Sequence, residues 1–212
     1  MMHEPGSNEN NSELIKEIIN ANMVEKARKA RMELYDWIQC IVTALICGIL
    51  IFVFIGRTIG VDGSSMERTL LNNDRVIMLN LFYTPKNGDI IVFKPTHERF
   101  HNVPLVKRVI ATEGQTLDID FANNEIIVDG VVISEPYIRS ITTSKYGFEG
   151  PITIKPGHVF VMGDNRSGST DSRDVDVGQV DTRYILGKVH FILIPGESFG
   201  SPRDWNRFGF VH

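Results

Sequence analysis

The chain has 212 residues, 42% of them hydrophobic, enough for the core of one ordinary domain or for a smaller domain with an anchor. Its formal charge of −4 is spread along the sequence with no basic stripe, which argues against nucleic acid as a partner. No internal repeat is present, so a solenoid is excluded.

Residues 1–11 are polar and are expected to be disordered. Residues 12–37 then read as a charged, partly amphipathic helix. The run IQCIVTALICGILIFVFIG, residues 38–56, has no charged residue. As a helix at ~1.5 Å per residue it spans roughly 28 Å, the depth of a bilayer core. A cleavable leader fits poorly, because 37 residues precede the run and its apolar part exceeds an ordinary h-region. A permanent single-pass anchor is therefore expected. Lys26, Arg28, Lys29 and Arg31 crowd its N-terminal side, while Arg57, Arg68 and Arg75 are spaced out beyond it, which puts residues 1–37 in the cytoplasm and 57–212 outside. Both cysteines, Cys40 and Cys47, fall inside the run, so the outer region has none to form disulfides.

From residue 57 the pattern changes to short Val, Ile and Phe runs separated by Gly, Pro, Asn and Asp, the pattern of a mainly β domain. Strands are predicted at 74–80, 88–94, 104–112, 116–121, 125–133, 158–163 and 185–195, with Asn123-Asn124 and Asp129-Gly130 as turns that tolerate positive φ. Residues 134–157 and 164–184 lack periodicity and are expected to be loops.

The stretch DGSSMERTL, residues 62–70, places Ser64 and Ser65 just after the apolar run. A serine hydroxyl needs an adjacent base to act as a nucleophile. Among the histidines, His158 and His190 fall in predicted strands, where structural roles prevail, and His3 and His212 are terminal. His97 to His101 reads HERFH and matches the H-E-x-x-H zinc signature. That signature works on a helix, whereas Pro95 and Pro104 bracket this segment between predicted strands, so a zinc protease is the weaker alternative. A lysine serves as base once burial lowers its pKa. Lys107, in the aliphatic run PLVKRVI, is such a residue, pointing inward while its neighbour Arg108 faces out.

The blocks SSMERTL, GDIIVF, LVKRVI and VFVMGDNRSGSTDSRDVDVGQV occur in this order after a single apolar span, and over residues 57–212 the chain resembles type I signal peptidases. The resemblance implies that Ser65, immediately before Met66, is the nucleophile and Lys107 its general base, a Ser/Lys dyad of the bacterial type. It further implies that Ser169 orients the lysine amine, that Asp171 and Arg173 brace the loop as a charge-assisted pair, and that Asp164 and Asn165 are structural members of the last block. Substrates would be secretory preproteins with A-x-A-like cleavage sites, presented beside membrane lipid, with no cofactor and no metal. Ser65 follows Gly56 by nine residues, at most about 30 Å of extended chain, so the site would stay near the bilayer. The Ser65 N–H is one expected oxyanion donor; the serine that some members carry two residues earlier is Gly63 here. Other departures are Arg68, where proline is usual, and ATEGQ at 111–115 in place of a Gly and Pro-containing turn. Rival readings are a catalytically silent membrane-anchored binding domain of the same fold and a self-cleaving repressor-type protease, the latter disfavoured by the apolar span. The aromatics Phe199, Trp205, Phe208 and Phe210 either close the core or meet the membrane interface.

Overall fold

A computed structural model describes residues 7–197 and 202–211. The chain divides into two compact units, Met1–Val53 and Phe54–His212.

The described residues of the first unit form a single helix, α1, which runs Ser7–Ile55 and so ends just past the unit's boundary. Its stretch Asn22–Leu50 is long and apolar enough to cross a membrane. Residues 7–11, expected to be disordered, belong to this helix, whereas residues 1–6 lie outside the described residues. The helix stops at Ile55, one residue before the apolar run does, because Gly56 already pairs with Leu79 as the first residue of a strand.

The second unit is mainly β. In chain order its strands are β1 (Gly56–Gly60), β2 (Arg75–Leu79), β3 (Ile90–Phe93), β4 (Leu105–Thr112), β5 (Thr116–Asp120), β6 (Glu125–Val128), β7 (Val131–Val132), β8 (Ile152–Thr153), β9 (His158–Met162), β10 (Val180–Asp181), β11 (Ile185–Ile194) and β12 (Gly209–Phe210). Each predicted strand is present. The strands β1, β8, β10 and β12 went unforeseen because two to five residues with flanking glycine or charge give no periodicity to read.

Two antiparallel sheets result, one ordered β1-β2-β11-β3-β4-β9-β10 with β12 also on β11, the other β7-β6-β5-β8. Strand β3, IIVF, is buried at every position. Alternate residues point to opposite faces; accordingly Ile90 and Val92 join a core with Met66, Leu70 and Val76, while Ile91 and Phe93 join another with Val109, Val161 and Ile185. A third core packs Ile110 and Phe160 of the large sheet against Leu117 and Ile126 of the small one. Strands β3, β4 and β9 are covered on both faces, so the greater part of each has no solvent side. This corrects the expectation for Arg108: it does not face out but is 2% exposed, as buried as Lys107 at 3%.

Candidate active site

After β1 the chain forms a run of tight turns over residues 64–70, in which Glu67 N–H donates to Ser64 O and Leu70 N–H to Met66 O. Met66 and Leu70 plug this segment into the core, and between them Arg68 is exposed while Glu67 and Thr69 are half-buried. Ser65 is thereby half-buried, with its own carbonyl accepting from the Asn165 amide at 3.0 Å. Asn165 also donates its side-chain amide to Ser64 O at 3.1 Å, so one residue of the GDNR block holds both serine carbonyls.

Strand β4 approaches from the other side. Residues 105–107 pair only with β3, since β9 joins β4 from Arg108 onward, and one edge of β4 is left open beside Lys107. The Lys107 amine donates to Ser65 Oγ at 2.9 Å and to Val106 O at 2.9 Å. Burial pulls this amine down to about 8, while the negative charges of Asp171 and Asp164 pull it upward less strongly. Ser65 and Lys107, 42 positions apart, thus form a hydroxyl and amine pair in a low-dielectric pocket.

Behind the pair lies a layer of buried ion pairs. The Arg173 guanidinium makes two bonds to Asp171, at 2.8 and 2.9 Å, and Asp171 accepts the Gly163 amide at 3.0 Å. Arg108 makes two to Asp164, at 2.9 and 2.8 Å, and its guanidinium lies over the Tyr137 ring at 4.0 Å. Thr69 donates to the same Asp164 at 2.5 Å. Gly163 is required by close approach, because a side chain there would collide with Ser169 and with Ser65 O.

Ser169 is buried beside Gly163, but the expected bond to the Lys107 amine is not formed: its hydroxyl has no hydrogen-bond partner, and the amine's bonds go to Ser65 and Val106. His97 and His101 flank a three-residue 3-10 turn, Glu98–Phe100, with His101 in the left-handed region at φ 46. A turn that short cannot put both imidazoles on one helical face as the zinc signature demands. Arg68 has φ +90, a value closed to proline, and its side chain donates to Ile138 O at 3.0 Å. Glu67 beside it pairs with Arg139. The sequence reading missed Thr69 and the buried pairing of Arg108. For Arg108 a signal existed, since a guanidinium in an aliphatic run keeps its charge and, if buried, requires a buried acid elsewhere, here Asp164.

The family model described as signal peptidase, peptidase S26, matches residues 34–194. The chain belongs to this family of serine peptidases. Among its relatives is a signal peptidase I of Bacillus licheniformis, 30% identical over 181 residues that cover 81% of this chain and 94% of the relative. A signal peptidase I P of Bacillus subtilis subsp. natto is 33% identical over 184 residues, covering 82% and 96%. A crystal structure of a signal peptidase I from Enterococcus faecalis is 27% identical and covers 51% of this chain and 98% of its own, with a TM-score of 0.41.

Proposed function

We propose that this peptidase is a single-pass membrane endopeptidase that removes signal peptides from exported preproteins, with Ser65 as nucleophile and Lys107 as general base. The observation that carries the reading is the 2.9 Å contact between a half-buried serine hydroxyl and a buried lysine amine whose pKa is lowered to about 8. At that pKa about one amine in ten is neutral at pH 7, against fewer than one in a thousand for an exposed lysine.

In the neutral state Lys107 takes the Ser65 proton as Oγ attacks the scissile carbonyl, and the Ser65 N–H stabilises the oxyanion. The ammonium so formed has three N–H groups where the amine had two. Ser65 and Val106 O take two of them, and we assign the third to the unpartnered Ser169 hydroxyl. Lys107 next gives the proton to the leaving amine, which departs as the mature protein's N-terminus and leaves the signal peptide esterified to Ser65. A water then loses a proton to Lys107 as it attacks the ester, and the proton returns to Ser65 as the ester breaks. Asp171 with Arg173, and Asp164 with Arg108, hold the frame; Asn165 and Met66 hold the nucleophile turn. The open edge of β4 at residues 105–107 suits an extended substrate segment, whose backbone would pair there as an added strand.

The helix stretch Asn22–Leu50 supports the membrane anchor, and the surplus of cations before the apolar run supports a cytoplasmic N-terminus with residues 57–212 outside. Preproteins with small residues before the cut, held in the same bilayer, are the substrates this arrangement suits. The test is incubation of the purified full chain in detergent with a secretory precursor, beside its Ser65→Ala form, with the cut located by mass spectrometry. Cleavage after an A-x-A-like site, absent in Ser65→Ala, is the expected result. A folded protein that binds the precursor and never cuts it would favour the silent binding domain.

A further inference from the structure

The C-terminal segment reaches back to the nucleophile turn. Residues Trp205–Arg207 form a 3-10 turn capped by the Asp204 carboxylate, and β12 then pairs with Phe191 and Ile192 of β11. From this turn Arg207 extends to Asp74, with Nη1 on Oδ1 at 2.8 Å and Nη2 on Oδ2 at 2.6 Å. The same Nη2 donates to the Thr69 carbonyl at 3.1 Å. Asp74 is fully buried and accepts two backbone amides as well, Leu71 at 2.7 Å and Gly196 at 2.5 Å.

These contacts lie on the segment that carries Ser65. Thr69 stands four residues after Ser65 and donates its hydroxyl to Asp164, whose neighbour Asn165 holds Ser65 O. One guanidinium therefore closes the far end of the turn at two points, a carboxylate and a carbonyl, while Asn165 closes the near end. We propose that residues 204–211 act as a clip on the nucleophile turn, with Arg207 as a positioning residue that keeps Ser65 Oγ at bonding distance from Lys107. A planar, bidentate guanidinium fixes Asp74 in direction as well as distance, which a lysine ammonium does not. Small displacements matter here, since a shift of about 1 Å in a reacting atom can lower a rate roughly a hundredfold.

The inference rests on the Ser65 reading, and the experiment separates the two. Precursor cleavage is measured for the full-length parent, Ser65→Ala, Arg207→Lys and Arg207→Ala in detergent, with thermal unfolding of each. Arg207→Ala is expected to lower kcat at least about tenfold with KM within about twofold, the signature of misplaced chemistry and not of lost binding. Arg207→Lys, which retains the charge but not the fork, is expected to fall between it and the parent. Because Arg207 keeps 18% of its side chain exposed, the space left by alanine opens to solvent. Guanidinium at roughly 20 mM, far below denaturing strength, is therefore expected to raise kcat of Arg207→Ala several-fold while sodium chloride does not. If Arg207→Ala does not fold, Arg207→Lys decides: parental kcat in it rejects the clip, and a lowered kcat with unchanged unfolding temperature supports it. Loss of activity that follows the unfolded fraction, with no guanidinium rescue, would make Arg207 a stability residue and overturn the proposal. Full activity in Ser65→Ala would instead reject the underlying reading, whatever Arg207 does.

Discussion

At the scale of single residues, the proposed chemistry turns on one proton. Ser65→Ala and Lys107→Ala are each expected to abolish cleavage, whereas Ser64→Ala, whose hydroxyl is at the surface away from the amine, keeps most of it. The double variant should be little worse than either single one, because nucleophile and base act as a unit. The pH profile of kcat/KM is expected to climb roughly tenfold per pH unit up to a limb near 8 and then level, since only the neutral amine accepts the proton. Replacing Ser169 with alanine removes a contact assigned to the ammonium, so the plateau should fall and the limb move to lower pH.

The same lysine shapes stability. Its pKa is lower folded than unfolded, about 8 against 10.5, so between these values the unfolded chain holds more protons and stability rises with pH. Below pH 8 the mismatch costs about 3 kcal/mol, a penalty that vanishes above pH 10.5. Lys107→Met should therefore be the more stable protein at pH 7 and should lose that slope, as thermal unfolding at pH 7 and pH 10 would reveal. Equal slopes in both proteins would show that folding does not lower the pKa of the amine.

At the scale of elements, β4 separates what a local pattern encodes from what it does not. Its extent followed from a run of aliphatic residues, and Lys107 stood out as a cation among them. The opposite face was misjudged: alternation predicts that Arg108 points away from Lys107, but whether that face meets solvent depends on the Thr69, Tyr137 and Asp164 groups packed over it. Those groups come from segments 39, 29 and 56 positions away, contacts that no local pattern encodes. The clip of Arg207 on Asp74 was illegible for the same reason, with 133 positions between the partners. The serine block and the GDNR block were legible only through the resemblance to type I signal peptidases; the close approach at Gly163 and the Asp171 and Arg173 pair are what the fold adds as the reason for those residue types.

The layer of buried ion pairs yields a prediction of its own. Asp164→Ala would leave Arg108, 2% exposed, without its partner, which costs about 3–5 kcal/mol in comparable sites. Asp164→Asn keeps an acceptor and should cost less. Unfolding of the three proteins in denaturant would rank them, and equal stability of parent and Asp164→Ala would mean that the pair adds nothing. Because the HERFH segment is a 3-10 turn, EDTA and His97→Ala are expected to leave cleavage unchanged. Activity lost to chelator and restored by zinc would return the metalloprotease reading.

At the scale of the whole molecule, core closure is ruled out for the described aromatic residues near the C-terminus. Trp205, Phe208 and Phe210 are 60%, 52% and 72% exposed, so they do not close the core; Phe199 lies outside the described residues. Phe208 and Phe210 stand edge-on to Phe191 at 4.9 and 5.2 Å, a small apolar surface on β11 and β12. We propose that these rings meet the membrane interface, where exposed Trp and Phe are favoured. With Trp37→Phe, Trp205 is the one tryptophan left in the chain. Its fluorescence in full-length protein placed in vesicles is expected to be quenched by brominated lipid, and cleavage to slow in a Phe208 and Phe210 double alanine variant that stays folded. Fluorescence equal to that in unbrominated vesicles would leave the rings in water.

The most direct test of the central claim is to stop turnover of a precursor with acid and map the protein by mass spectrometry. The account predicts an ester adduct of the signal peptide on Ser65, present in the parent, lost in Ser65→Ala, and not formed in Lys107→Ala. An adduct on Ser64 or any other residue, or cleavage that persists in Ser65→Ala, would contradict it.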